Sequence, residues 1–200
     1  AASKALKWNS TPNGFETGDI AGSMVLLETK TASSDSTISF TSGIDSTYKE
    51  YIFKFINIHP GTDNTQFQFQ GSTNSGSSYG VTITSTAFRS IHNESDTTAF
   101  EYEGAADLAQ STSFQTLAQG IGTDNDMSAV GILHIYNPSD TTFVKHFINR
   151  SQTYGNSTND YSRDVFIAGY FNTTSAIDAI QFKMSSGDID AGTIKMYGVL

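Results

Sequence analysis

Ser78 stands in the stretch Gly76-Ser77-Ser78-Tyr79-Gly80, a Gly-x-Ser-x-Gly spacing that in hydrolases lifts a nucleophile onto a strained strand-to-helix turn. Here the run that follows, VTITST, reads as a strand, and the run before it, QGSTNSG, as a loop. The spacing therefore predicts a Gly/Ser-rich connection and no nucleophile. The histidines His59, His92, His134 and His146 contain no His-Glu-x-x-His spacing and no i, i+4 pair. If Pro138 to Thr142 close a hairpin, His134 falls opposite His146, with Cβ atoms about 4.5–5.5 Å apart, near enough to share a metal or a hydrogen bond. No third ligand is marked, so interior or interface histidines are expected rather than a metal site. Asp124-Asn125-Asp126 and Asp188-Ile189-Asp190 are similar to oxygen-rich calcium loops, but neither supplies the glutamate that closes an EF-hand, and solvated turn acids are expected. The chain has no Cys, which removes thiolate nucleophiles, cysteine metal sites and disulfides. No catalytic residue, metal or cofactor is assigned, and the expectation is a protein that is not an enzyme. Tyr79, Tyr154 and Tyr161 lie in Gly/Ser/Asn-rich stretches where core burial is hard to arrange. They are the candidate glycan contacts, against the competing role of closing turns or filling an interface. Five N-x-[ST] sequons, at Asn9, Asn93, Asn149, Asn156 and Asn172, are what this Asn, Ser and Thr content produces by chance.

The elements that must carry these residues are strands. Ser and Thr together outnumber all charged residues, and 14 Phe and 9 Tyr are enough to fill a core. Short runs rich in Val, Ile, Thr, Phe and Tyr recur between clusters of Ser, Gly, Asn and Asp. Candidate strands are Met24 to Thr29, Ser36 to Thr41, Lys49 to Ile58, Thr65 to Gln70, Gly80 to Ser90, Ala99 to Glu103, Phe114 to Ala118, Ala129 to Tyr136, Thr142 to Ser151, Asp164 to Asn172, Ala176 to Met184 and Gly192 to Leu200. One or two of these twelve are expected to be surplus. TQFQFQ puts Phe67 and Phe69 on one face and Gln66, Gln68 and Gln70 on the other, and the denser YIFKFINI reads as a central strand. Pro60-Gly61 with Asp63-Asn64, Asn137 to Asp140, and Ser185 to Asp188 read as hairpin connections. Gly104 to Gln110 reads as a short helix or a loop. The lysines Lys54, Lys145, Lys183 and Lys195, within expected strands, would guard sheet edges against aggregation. The fold class is all-β: an antiparallel two-sheet sandwich, jelly-roll-like, over residues 24–200, with an extended N-terminal arm over residues 1–23. The arm shows no apolar period, and Trp8 and Phe15 are its natural anchors.

The net charge of −9 with 11 Lys and Arg argues against a phosphate backbone as partner, so no nucleic acid is expected. No run approaches the roughly 18 apolar residues of a spanning helix, so no membrane insertion and no signal peptide are read.

Four stretches, TASSDSTISFTSGIDSTYKEYIFKFINIHPGTDN, SSYGVTITSTAFRSIHNE, GILHIYNPSDTTFVKHFINR and the ending GTIKMYGVL, resemble virion structural proteins of marine tailed bacteriophages. The resemblance covers about Met24 to Leu200. It implies a single β-sandwich module on a tail fibre or spike, or decorating a capsid, at the particle surface. It further implies other virion proteins as partners, a homo-oligomer with a trimer favoured, and a host-surface glycan as a candidate ligand. The alternative reading is a lectin-like carbohydrate-binding module built on the loop tyrosines.

Overall fold

A strand that alternates aromatic or β-branched residues with Ser, Thr and Gln has one apolar face, and a second sheet is the usual way to bury it. The computed structural model describes residues 4–9, 11, 13–19, 24–155 and 160–200. The strands are β1 (Lys4–Trp8), β2 (Phe15–Asp19), β3 (Met24–Asp35), β4 (Ile38–Phe40), β5 (Glu50–Pro60), β6 (Thr65–Ser72), β7 (Ile83–Asn93), β8 (Thr98–Tyr102), β9 (Gln115–Ile121), β10 (Ala129–Tyr136), β11 (Lys145–Gly155), β12 (Tyr161–Phe171), β13 (Ala179–Met184) and β14 (Ile189–Val199). Every one of the twelve expected runs is a strand, so none was surplus. Residues 104–110 form turns rather than a helix.

Eight strands pair antiparallel in the order β3, β14, β5, β10, β11, β12, β7, β8, and four more in the order β9, β6, β13, β4. One residue pair, Gly155 with Ile121, links the two layers through β11 and β9. Between them lies a core of phenylalanine rings. Phe67 and Phe69 from β6 and Phe182 from β13 meet Phe53 from β5 and Phe147 from β11, all essentially solvent-free. Phe67 stacks on Phe182 at 5.5 Å between centroids, and Phe69 meets Phe147 edge-on at 5.1 Å. Such pairs add about 0.5–1.5 kcal/mol beyond the area they bury. The expected alternation of β6 holds, although Gln70 is buried too, its amide donating to the carbonyls of Thr112 and Ser113.

Three turns were read as hairpins and only one is. Asn137 to Asp140 lies in the connection between the paired strands β10 and β11. Pro60 to Asn64 instead leads from β5 in the large sheet to β6 in the small one, and Ser185 to Asp188 leads back from β13 to β14. These two corners pack on each other. Gly61 N–H donates to the Asp188 carbonyl at 3.0 Å, and Gly187, at φ 68°, leaves room for the Thr62 hydroxyl.

The lysines expected to guard edges stand elsewhere. The edge strands of the two layers are β3 and β8 in the large sheet and β4 in the small one. Lys54, Lys145, Lys183 and Lys195 all sit on strands with a neighbour on each side. Lys145 is fully buried, its ammonium donating to the carbonyls of Phe143 at 2.9 Å and Thr173 at 3.2 Å.

Candidate functional site

The segment expected to be an extended arm contains a hairpin. Asn13-Gly14 supplies turn chemistry, Asn9 N–H donates to the Gly14 carbonyl at 3.1 Å, and β1 pairs antiparallel with β2 in a sheet of its own. Register sets Trp8 opposite Phe15, and their rings stack at 4.4 Å between centroids with planes 27° apart. Trp8 is 60% exposed and Phe15 62%, with Leu6 more exposed still. Three large apolar side chains on a two-stranded ribbon thus face solvent.

The three tyrosines read as glycan contacts do not form one site. Tyr79 precedes β7 and lines a polar depression of about 380 Å³ with Thr73, Ser78 and Asn172, its hydroxyl turned into the protein against Gly76. Tyr154, on β11, pairs with Ser162 at the other end of β12, roughly 33 Å away at 3.3 Å per residue. Its hydroxyl donates to Asp160 at 3.0 Å, and that bond leads the causes that push its ionisation up to about 12. Tyr161 is only 8% exposed, beneath the Arg163 guanidinium, which lies 4.7 Å from its ring centroid. As the first residue of β12 it is turned mostly inward and leaves only an edge at the surface.

Ser78 sits in the loop expected for it, between β6 and β7, where its hydroxyl accepts from the Asn74 amide. The opposition of His134 and His146 is corrected by two residues. The connection between β10 and β11 runs to Val144, so His134 faces Ile148 and its Nδ1 lies 2.5 Å from Glu50 on β5. His146 is exposed and pairs with Tyr170 on β12. Among the described residues no group of three His, Asp or Glu is placed to hold a metal. Asp124 and Asp190 both approach His59, the first through its carbonyl at 3.3 Å and the second through its carboxylate at 3.9 Å.

A different surface emerges from the register of the large sheet. On its outer face Phe100 of β8, Ser90 of β7 and Asp164 of β12 are direct neighbours, and so are Thr98, His92 and Ser162 one step along. Ser90 and Ser162 are short, so a depression of about 430 Å³ opens between the Phe100 ring and the Asp164 carboxylate. It continues past His92 and Ser162 into a second hollow of about 270 Å³, walled at its far side by Tyr154 and the edge of Tyr161. Asp164 is fixed by Arg150, whose Nη2 donates at 2.7 Å and Nε at 3.2 Å, and the bond to this carboxylate raises the affinity of the guanidinium for its proton. Phe88, stacked on Phe166 at 4.8 Å, backs the Phe100 ring at 5.5 Å. Little in the sequence marks this groove. Its one signal was the period-2 pair Phe100 and Tyr102 in TAFEY, 75% and 60% exposed.

No protein-family model matches the chain, and no curated protein matches it. Solved structures that match include the infectious bursal disease virus Gx strain, with 11% identity, 98% of this chain and 46% of that chain covered, and a TM-score of 0.16. Another is the VP2 subviral particle of infectious bursal disease virus, with 10% identity, 100% and 46% covered, and a TM-score of 0.14. The chain spans about half the length of these proteins, and scores of that size carry no argument about its role.

Proposed function

We propose that the protein is a non-enzymatic structural component of a virus particle, a β-sandwich module that attaches through its N-terminal hairpin. The observation that carries this reading is the stacked and solvent-exposed Trp8–Phe15 pair on a ribbon outside the twelve-stranded body. A small apolar anchor separated from a self-sufficient core can be buried in a partner without disturbing that core. The resemblance of the sandwich segments to virion proteins of tailed phages supplies the class of particle. Other virion proteins and further copies of this chain, as a trimer, are its partners, and its place is the particle surface. A Cys-free, acidic sandwich with a net charge of −9 suits a coat assembled in a reducing cytoplasm and then exposed to salt water, because nothing in it depends on disulfides.

Deleting residues 1–23 tests the attachment. The expected outcome is a truncated protein with an unchanged circular dichroism spectrum that is missing from purified particles. Incorporation of the truncated form at normal occupancy would overturn the reading. Copy number then separates the two placements: few copies for a tail fibre or spike, hundreds for a capsid decoration.

The lectin-like reading loses one of its three residues with the burial of Tyr161 and the convergence of the others with their separation.

A further inference from the structure

We propose that the groove across β8, β7, β12 and β11 on the outer face of the large sheet binds a neutral saccharide, with Phe100 and Tyr154 as the ends of the site. This goes beyond attachment through the hairpin and does not depend on it. A sugar ring presents an apolar C–H face and a rim of hydroxyls, so a site for it combines an exposed aromatic wall with fixed polar groups. The Phe100 ring is 75% exposed on an edge strand, and no described residue covers it. Two strand spacings, about 9.6 Å, separate its backbone from that of Asp164, which leaves room for one sugar ring between the two side chains. The floor consists of the Ser90 and Ser162 hydroxyls, hydrogen-bonding groups on short stems.

The polar groups are set before any ligand arrives. Arg150 holds Asp164 but leaves carboxylate lone pairs open, Asp160 holds the Tyr154 hydroxyl, and Asp96 lies 3.1 Å from His92 Nε2. Groups already in place lose little freedom on binding. The charge around the groove selects among sugars. Glu94, Asp96, Asp160 and Asp164 stand around it, while the Arg150 guanidinium is taken up by Asp164 and that of Arg163 lies against the Tyr161 ring, so uronic and sialic acids are repelled and uncharged hexoses or N-acetylhexosamines are accepted. A protein partner would be better served by a continuous apolar patch than by a polar floor between two aromatic ends.

The test is a titration of the isotopically labelled full chain, followed by its backbone amide resonances. The probes are the methyl glycosides of glucose, galactose, mannose and N-acetylglucosamine, with methyl glucuronide as the acidic comparison. The expected result is that at least one neutral glycoside shifts amides of residues 88–100 and 160–166 in a saturable way, whereas the glucuronide does not. Phe100→Ala, a change to an exposed side chain, should weaken that binding by about tenfold, and Asp164→Asn should weaken it as well. Phe143→Ala, at another exposed phenylalanine, should leave it unchanged. Silence of these amides toward all four neutral glycosides overturns the proposal. So does equal affinity in Phe100→Ala, or broadening of the same amides that tracks protein concentration and marks the face as a contact between copies.

Discussion

Gly131 on β10 is the direct cross-strand partner of Phe55 on β5, and the space that a side chain at Gly131 would fill is occupied by the edge of the Phe55 ring. Phe55 is 1% exposed and packs on Phe67 of the opposite sheet at 5.3 Å, so it has nowhere to retreat. Gly131→Ala should therefore destabilise the fold by about 1–3 kcal/mol through overpacking. Urea unfolding would register this as a lower midpoint at constant slope.

Phe182 touches the rings of Phe40, Phe53, Phe67 and Phe69. Replacing it with Ala removes the hub of the ring cluster, and the expected loss is about 3–5 kcal/mol. Thermal unfolding checks it, with a fall of roughly 2–4 °C per kcal/mol for a chain of this size.

Trp8 is the one tryptophan in the sequence, so its fluorescence reports on the hairpin alone. In the isolated protein its emission should lie at the long wavelengths of a solvated indole and respond little when the sandwich melts. On incorporation into a particle it should shift to shorter wavelength. A blue-shifted spectrum in the isolated protein would show that the hairpin is already covered.

Tyr154 keeps its phenol proton up to about 12 in the folded state because its O–H donates to Asp160. An unfolded tyrosine ionises near 10. The folded form therefore holds a proton that the unfolded form has lost, so the bond contributes stability below pH 10 that disappears as the pH rises from 10 through 12. Ultraviolet titration of Tyr154→Phe should lack one late-ionising phenol, and its stability should fall less steeply over that interval.

Asp140 shows the opposite sign. Its carboxylate accepts the N–H groups of Phe143 at 2.7 Å and Thr142 at 2.6 Å, which hold it below the usual carboxylate range. Its contribution is present above the ordinary aspartate value and is lost as the pH falls through its lowered one. Acid unfolding of Asp140→Asn should begin from a lower stability and show a shallower dependence on pH.

The strands were legible because alternation is local. Phe67 and Phe69 in TQFQFQ, or the dense YIFKFINI, name their own faces. Which strand lies beside which was not legible, because the residues at Pro60 to Asn64 and at Ser185 to Asp188 suit a tight turn whether the chain returns to its own sheet or crosses to the other. The exchange of sheets is decided by pairings far along the chain, such as β14 between β3 and β5. The histidine register failed for a related reason, since the connection extends beyond Thr142 to Val144 and moves every partner by two. The near-burial of Tyr161 was not legible because a Gly/Ser/Asn-rich stretch does not reveal the inward first residue of the next strand. The groove escaped because the alternation of Phe100 with Tyr102 announces an apolar face without saying whether anything covers it.

Strand β14 slots between β3 and β5, two neighbours formed from the beginning of the domain. During synthesis those earlier ribbons must wait, with Phe53, Phe55 and Leu27 unshielded, until nearly the whole domain has emerged from the ribosome. Assembly is then a late, topologically non-local event, slow in the manner of proteins dominated by distant contacts. Until β14 arrives, the apolar faces of β3 and β5 stay open to aggregation.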